Sequence, residues 1–115
     1  MPIDRVVINA SPLIVLFKSG QAELLPRLFN EILIPQAVWE EVTASKNDIA
    51  AQQLPNVSWA NSLDVTIHPA IAAWDLGAGE STVLSFALEN SDYRAMVDDA
   101  AARRCARALG IATLG

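Results

Sequence analysis

The sequence is poor in residues that carry thiol or imidazole chemistry. Its 115 residues include one cysteine and one histidine, which excludes an intramolecular disulfide and any site built from several such side chains. We expect Cys105 to be a small core residue rather than a nucleophile, because it falls on the apolar stripe of a predicted helix. A chain without disulfides is typical of a reducing compartment, so we expect a cytoplasmic protein.

Positive charge is also scarce. Lysine and arginine total 8 against 13 aspartate and glutamate residues, which gives a formal net charge of −5 at pH 7. Because proteins that grip nucleic acid through bulk charge are basic, any contact with nucleic acid must use a local patch. Alternatively, divalent cations would have to neutralise the acids before a phosphate group could approach.

Long apolar runs and glycine-rich phosphate loops are lacking as well. The apolar run 6–17 is broken by polar residues and a proline and is too short to span a bilayer, so we expect no membrane partner. The Gly-Ala-Gly segment 77–79 lacks the third glycine of a dinucleotide-binding loop. The length suits one domain over residues 1–115.

The chain instead alternates short apolar strands with helices. Apolar and alternating patterns predict strands at 6–8, 32–34, 64–68, 95–97 and 111–114, with 64–68 at a sheet edge. Helical spacing and helix-terminal residues predict helices at 11–19, 22–29, 36–45, 48–54, 79–90 and 99–109. This order predicts an α/β fold, a three-layer sandwich around a mostly parallel central sheet. In such sheets ligands bind beyond the carboxyl ends of the strands.

Two adjacent aspartates follow the predicted strand 95–97. A carboxylate beside a buried strand is costly unless it is paired or binds a cation, so we interpret Asp98 as a ligand. Asp99 is well placed to N-cap the next helix, and a metal contact is its second interpretation.

Glu80 and Glu41 lie toward the inner sides of predicted helices. Glu80 extends the buried face that Val83 helps to define, although an acid in a first helical turn is also favoured by the helix dipole. Glu41 flanks the side that Val38 buries, whereas Glu40 is turned about 200° away from Val38. We therefore interpret Glu41 as a candidate ligand and Glu40 as solvated. The alternative, that both are surface charges, stays open.

Neutral and basic residues complete the candidate set. Asn9 directly follows the first strand and can offer a carbonyl oxygen to a hard cation, although asparagine is also ordinary there in a turn. Ser11 either bonds to a metal-bound water or N-caps the helix that a proline then begins. Arg103, Arg104 and Arg107 form either a strip that grips phosphate or a solvated helix face.

Four segments of the chain carry a resemblance to a known family. They read VINASPLIVL, LFNEILIPQAVWEEV, LGAGESTVLSFALE and MVDDAAARRCARALGI, in an order that spans nearly the whole chain. Together they resemble the PIN domain, a small α/β fold of divalent-metal-dependent ribonucleases, many of which are toxins of prokaryotic toxin–antitoxin pairs. The resemblance implies a parallel sheet, an acidic pocket for Mg²⁺ or Mn²⁺, and RNA as the substrate class.

The resemblance also implies which residues form the pocket. Carried over residue by residue, the family's four acidic positions fall on Asn9, Glu41, Glu80 and Asp98, with Asp99 beside the last. The implied mechanism is phosphodiester hydrolysis, in which metal ions held by the three acids activate water. Asn9 departs from the usual aspartate and removes one negative charge. Family members usually continue through another strand and helix, so we expect a C-terminal strand and helix to be missing and a sheet edge to lie open.

Two functions from different classes follow. The first is a metal-dependent ribonuclease, the toxin of a toxin–antitoxin pair, with an antitoxin partner and self-association into a homo-oligomer such as a dimer. The second is a catalytically impaired PIN-like module that binds RNA or protein, which Asn9 and the short C-terminal end favour. A phosphate-accepting receiver domain is disfavoured, because its acid pair would follow an early strand rather than a late one.

Overall fold

A parallel sheet forms the centre of the molecule. The structure is a computed structural model and describes residues 4–114. Within that range the strands are Arg5–Ile8 (β1), Glu31–Pro35 (β2), Ala60–Leu63 (β3), Tyr93–Met96 (β4) and Thr113–Leu114 (β5). The α-helices are Ala10–Lys18 (α1), Leu24–Leu28 (α2), Gln36–Thr43 (α3), Ile49–Gln53 (α4), Pro69–Ala72 (α5), Ala78–Glu89 (α6) and Ala100–Leu109 (α7), and Leu54–Asn56 is a 3₁₀ turn. None of the helices in the described range has the length and apolar character needed to cross a bilayer.

The strand order creates a switch point between β1 and β4. The order is β3-β2-β1-β4-β5, and every neighbouring pair is parallel. The chain therefore runs outward from β1 to β3 and then returns to the other side of β1. Because parallel crossovers are right-handed, these opposite directions place the connecting helices on opposite faces of the sheet. The predicted α/β sandwich is confirmed. The predicted single domain also includes residues 1–3 and 115, which lie outside the described residues.

Buried β-branched residues place β1 at the middle of the sheet. Val6, Val7 and Ile8 are fully buried, and β1 pairs with β2 on one side and β4 on the other. Cys105, on the inner side of α7, is also fully buried, and this burial raises the pKa of its thiol. The prediction that Cys105 is a core residue is therefore confirmed.

The third strand lies earlier in the chain than the pattern predicts. The last pair of the β2–β3 ladder joins Pro35 to Leu63, and the chain then turns from Pro35 into α3. Within residues 4–114, the segment 64–68 consequently has no strand beside it to pair with. The predicted strand at 64–68 is wrong, although β3 does lie at an edge of the sheet.

Helix α1 begins before the serine that was expected to cap it. Asn9 occupies the N-cap position, and Ser11 and Pro12 lie inside the first turn. Proline is tolerated there because the N–H groups of a first helical turn have no partner within the helix. The predicted N-cap role of Ser11 is therefore wrong, and its side chain is exposed.

A polar network joins the amino ends of three strands. Arg5 of β1 forms ion pairs with Glu31 of β2 and with Asp92, the residue before β4. Tyr93 of β4 donates a hydrogen bond to Glu31. Burial of the phenol and this hydrogen bond raise the pKa of Tyr93 to about 12. A ligand site is expected at the carboxyl ends of the strands. The network lies at the opposite end of the sheet.

Candidate functional site

Asn9 and Asp98 lie at the carboxyl ends of β1 and β4, on the two sides of the switch point. The backbone N–H of Asn9 donates to the carbonyl of Met96 at 3.0 Å, where the β1–β4 ladder ends. Asn9 is therefore beside the last residue of β4, and Asp98 follows two residues later. The parallel arrangement brings these distant positions of the chain to one edge of the sheet.

The Asn9 side chain does not cap the helix that it precedes. Asn9 has the extended backbone of an N-cap residue, with φ −84° and ψ 168°, but its side chain bonds to no N–H group of α1. Pro12 contributes to this, because it occupies the third helical position and has no N–H to donate. Asn9 is only 4% exposed, and its buried Oδ1 has no hydrogen-bond partner within residues 4–114. An unsatisfied buried oxygen costs about 1–3 kcal/mol, so the position favours a donor or a cation.

Gly79 provides the space in which Asn9 and Glu41 approach each other. Gly79 is buried in the first turn of α6, and α6 packs against α3. A Cβ atom on Gly79 would lie 2.8 Å from Asn9 Oδ1 and 3.2 Å from Glu41 Oε1. Both oxygens therefore reach the same point, which a residue without a side chain leaves open.

Glu41 brings a carboxylate to this point from α3. Val38 is fully buried, and its Cγ2 would lie 3.6 Å from the same Cβ position on Gly79. Glu41 follows Val38 by three residues and so lies on the side of α3 that faces α6. Glu40 and Glu41 are both exposed, but it is an oxygen of Glu41 that lies among the atoms nearest to the Cβ position of Gly79.

Glu80 belongs to the same first turn of α6 but its carboxylate lies elsewhere. Its Oε2 would lie 2.8 Å from a Cβ atom placed on Gly77. Gly77 is the N-cap residue of α6 and has no side chain to satisfy the helix end. The half-buried Glu80 carboxylate therefore lies over the positive end of the helix dipole. This agrees with the alternative interpretation, in which the dipole favours an acid in the first helical turn.

Asp98 and Asp99 have different environments. Asp99 Oδ2 accepts a hydrogen bond from the N–H of Ala102 at 3.0 Å, so the predicted N-cap of α7 is confirmed. Asp98 is exposed and lies in the wall of a groove of about 550 Å³. The groove, called the apolar groove below, is otherwise apolar, and its wall includes Val15, Leu24, Leu28, Met96 and Leu114.

The three arginines of α7 are not equivalent. Arg103 is half-buried, and its Nη1 donates to the carbonyls of Val97 and Leu114 at 3.0 and 3.3 Å. Arg104 and Arg107 are exposed and agree with either a phosphate-binding strip or a solvated face. The hydrogen bonds of Arg103 to backbone carbonyls fit neither a phosphate-binding strip nor a solvated face.

Comparison with known families adds one finding to this geometry. The family model of the PIN domain matches residues 5–115. The chain belongs to the PIN-domain family. PIN domains are in general nucleases, which generally depend on divalent metal and bind RNA. A search of curated proteins finds no match to this PIN domain.

The acids of this PIN domain are not gathered into one closed cluster. Within residues 4–114, no group of three or more histidine, cysteine, aspartate or glutamate side chains is arranged to hold a metal ion. Asn9 Oδ1 and Glu41 Oε1 both lie beside the Cβ position of Gly79, whereas Glu80 lies over the start of α6 and Asp98 lies in the wall of the apolar groove. An amide oxygen beside a carboxylate is still a donor set that hard divalent cations accept. The orphaned Asn9 Oδ1 therefore fits a divalent cation.

Two residues with local roles are absent from the sequence-based predictions. Gly79 could not be identified, because its role depends on two side chains from distant parts of the chain. His68 Nδ1 accepts from the N–H of Ala70 at 3.0 Å and begins α5, a helix that the predictions lack. The signal for α5 was the proline that follows His68, since proline favours the first position of a helix.

Proposed function

We propose that this PIN domain is a divalent-metal-dependent endoribonuclease and the toxin component of a toxin–antitoxin pair. The observation that supports this most directly is the buried Asn9 Oδ1, which lacks a partner within residues 4–114 and approaches Glu41 Oε1 over Gly79. We assign the catalytic roles to Glu41, Glu80 and Asp98. The residues proposed to surround Mg²⁺ or Mn²⁺ are Asn9, Glu41, Glu80, Asp98 and Asp99.

Each proposed ligand contributes in a different way. Asn9 offers a neutral oxygen from a fixed, buried position, and Glu41 adds negative charge beside it. Asp98 is exposed at the neighbouring strand end, so its side chain is free to turn toward a bound cation. When bound, a divalent cation supplies an activated water and neutralises charge on the phosphodiester.

RNA is the proposed substrate, held by a local patch rather than by overall charge. The net charge of −5 opposes the approach of phosphate, so contacts must be local. Arg104 and Arg107 are exposed on α7, the helix that directly follows Asp98 and Asp99. Ser11, exposed in the first turn of α1, is proposed as a further contact.

We propose that the apolar groove receives an antitoxin segment that combines apolar side chains with a basic one. The wall of the groove is apolar except for Asp98, so a basic side chain on the partner would be complementary in charge. Val15 and Leu28 are 59% and 61% exposed, which is costly for large apolar side chains without a partner. We propose that the toxin and its antitoxin act in the cytoplasm, where the lone Cys105 thiol stays reduced.

Leu28→Asp tests the groove, with Ile49→Asp as a matched exposed apolar position outside it. If an antitoxin encoded beside this gene relieves growth arrest, we expect Leu28→Asp to abolish that relief and Ile49→Asp to preserve it. A dimer in sedimentation equilibrium that Leu28→Asp dissociates would instead assign the groove to self-association, the homo-oligomer that the sequence suggests. Relief that persists in Leu28→Asp would exclude the groove as the antitoxin site.

A catalytically impaired PIN-like module that binds RNA or protein is the second candidate. Two observations favour it: Asn9 stands where the family usually has an aspartate, and no three acids converge within residues 4–114. Such a module would bind RNA without cleaving it, with or without divalent cations.

Mn²⁺ binding and RNA cleavage distinguish the two candidates. Isothermal calorimetry with Mn²⁺ and cleavage of labelled RNA should be measured for the wild type and for Glu41→Gln, Glu80→Gln and Asp98→Asn. We expect the wild type to bind Mn²⁺ and to cleave, and each variant to remain folded and lose cleavage. Glu40→Gln is the matched control, because Glu40 is exposed on the same helix but is not among the residues nearest to the Cβ position of Gly79. Wild type that binds RNA but stays inactive with Mn²⁺ would exclude the enzyme.

A further inference from the structure

The turn that carries Asp98 is held by α7 on both of its sides. After it, Asp99 Oδ2 accepts from the N–H of Ala102 at 3.0 Å. Before it, Arg103 Nη1 donates to the carbonyl of Val97 at 3.0 Å. Asp98 lies between these two anchored residues and is itself exposed. Its backbone is therefore fixed, while its side chain is left free to reach a ligand.

Arg103 donates hydrogen bonds to backbone carbonyls at the ends of two strands, where the ladder between the strands no longer supplies N–H groups. β4 ends at Met96, whose carbonyl accepts from the N–H of Asn9. The next residue, Val97, is buried and its carbonyl lies past the end of the strand, while Leu114 is the last residue of β5. The same Nη1 of Arg103 reaches both carbonyls, at 3.0 and 3.3 Å. Arg103 thus joins the ends of β4 and β5 beside the candidate site.

The position of Arg103 separates it from the other arginines of α7. Arg103 is half-buried, whereas Arg104 and Arg107 are exposed. A guanidinium presents several N–H groups in a rigid plane, while a lysine ammonium is a point charge on a flexible stem. The nitrogen that two backbone carbonyls share is not free to bind phosphate. The contacts of Arg103 therefore favour a role in the protein over contact with substrate.

We propose that Arg103 is a positioning residue that fixes Asp98 at the carboxyl end of the sheet. This inference rests on the proposed function, in which Asp98 is one of the residues around the cation. Groups that hold a metal ligand in place typically change affinity or activity by about 10–100-fold when they are removed. Arg103 acts in this way through the backbone of Val97, without touching the cation or the RNA.

The test compares Arg103→Ala and Arg103→Lys with Arg104→Ala in the full chain. We expect Arg103→Ala to weaken Mn²⁺ binding in calorimetry by about 10-fold or more, and Arg104→Ala to leave it unchanged. Arg103→Lys should recover part of the affinity, because one ammonium can reach one carbonyl but lacks the planar fork. Amide hydrogen exchange at Asp98, followed by NMR without metal, should accelerate in Arg103→Ala and not in Arg104→Ala.

A control variant at the opposite end of the sheet separates positioning from general weakening of the fold. Tyr93→Phe removes the hydrogen bond to Glu31 at the opposite end of the sheet, so it should keep wild-type affinity for Mn²⁺. A similar loss of affinity in Tyr93→Phe would overturn the inference. So would Mn²⁺ binding by Arg103→Ala that equals the wild type, while the proposed function would stand. If the wild type binds no Mn²⁺, the proposed function fails and the inference fails with it.

Discussion

Gly79 is the point at which an amide oxygen and a carboxylate oxygen approach each other. We predict that Gly79→Ala weakens Mn²⁺ binding by about 10-fold or more, because the new Cβ would lie 2.8 Å from Asn9 Oδ1 and 3.2 Å from Glu41 Oε1. Asn9 is 4% exposed and has little room to move aside. Overpacking costs about 1–3 kcal/mol, which exceeds the roughly 1 kcal/mol that alanine contributes in a helix. Calorimetry with Mn²⁺ and thermal unfolding measure both effects.

Gly77→Ala is the matched control for this prediction. Gly77 is the N-cap residue of the same helix, but a Cβ there would meet only the end of the flexible Glu80 side chain. We expect a smaller loss of Mn²⁺ affinity than in Gly79→Ala, because the Glu80 carboxylate can swing away. Equal losses in the two variants would show that the convergence of Asn9 and Glu41 is not what holds the cation.

Helical spacing predicts which way an acid points, but not where its carboxylate ends. The spacing from Val38 gives the direction of Glu41, and the structure places its Oε1 near Gly79. The same reasoning places Glu80 on a buried face, yet its Oε2 lies near Gly77 at the helix end. Long side chains rotate about several bonds, and the local field of the helix end decides among their positions. The spacing of apolar residues therefore does not predict where the carboxylate of a long side chain lies.

Helix α7 is capped at its start by the side chain of Asp99. We predict that Asp99→Ala lowers the free energy of unfolding by about 0.5–2 kcal/mol, because the N–H of Ala102 loses its acceptor. Urea unfolding measures this change. Asp98→Ala is the control, since Asp98 is exposed and does not cap the helix, and its effect should stay within about 0.5 kcal/mol. Equal losses would contradict a capping role specific to Asp99.

The sequence predicts strands whose residues are apolar. It does not predict a strand that is defined only by its pairing with a neighbouring strand. β1 and β2 are buried and rich in β-branched residues, so their pattern is clear. β3 reads ANSL and is mostly exposed, and only its register with β2 makes it a strand. The alternation at 64–68 looks more strand-like, but the described part of the chain has no strand that pairs with it. Pairing is a long-range property, which a local pattern does not contain.

At the scale of the whole molecule, the sheet decides which polar residues can meet. The sequence predicts a parallel sheet, and parallel strands bring their carboxyl ends to one edge, so Asn9 and Asp98 are expected to be neighbours. The position of β1 beside β4 places Asn9 next to Met96, two residues before Asp98. The failure of three acids to converge within residues 4–114 could not be predicted, because it depends on side-chain positions of Glu80 and Asp98. The topology of the sheet determines at which edge the candidate site lies, and side-chain packing determines which residues reach it.

The network at the amino ends of the strands links the stability of the whole fold to pH. The pKa of Tyr93 is raised from 10.0 to about 12, first by burial and then by its hydrogen bond to Glu31. Between these values the unfolded chain has lost the phenolic proton, whereas the native state keeps it. The contribution of Tyr93 is therefore complete below pH 10 and is lost as the pH rises toward 12. One proton corresponds to a slope of at most about 1.4 kcal/mol per pH unit.

We predict that the free energy of unfolding of the wild type falls more steeply above pH 10 than that of Tyr93→Phe. Lysines titrate in both proteins, so the difference between the two curves isolates the phenol. Phenylalanine keeps the edge-to-face contact with Phe86, whose ring centroid lies 4.8 Å from that of Tyr93. Tyr93 is the single tyrosine of the chain, so phenolate absorbance reports its ionisation directly. Parallel curves, with Tyr93 ionising near pH 10, would show that the network at the amino ends of the strands does not hold its proton.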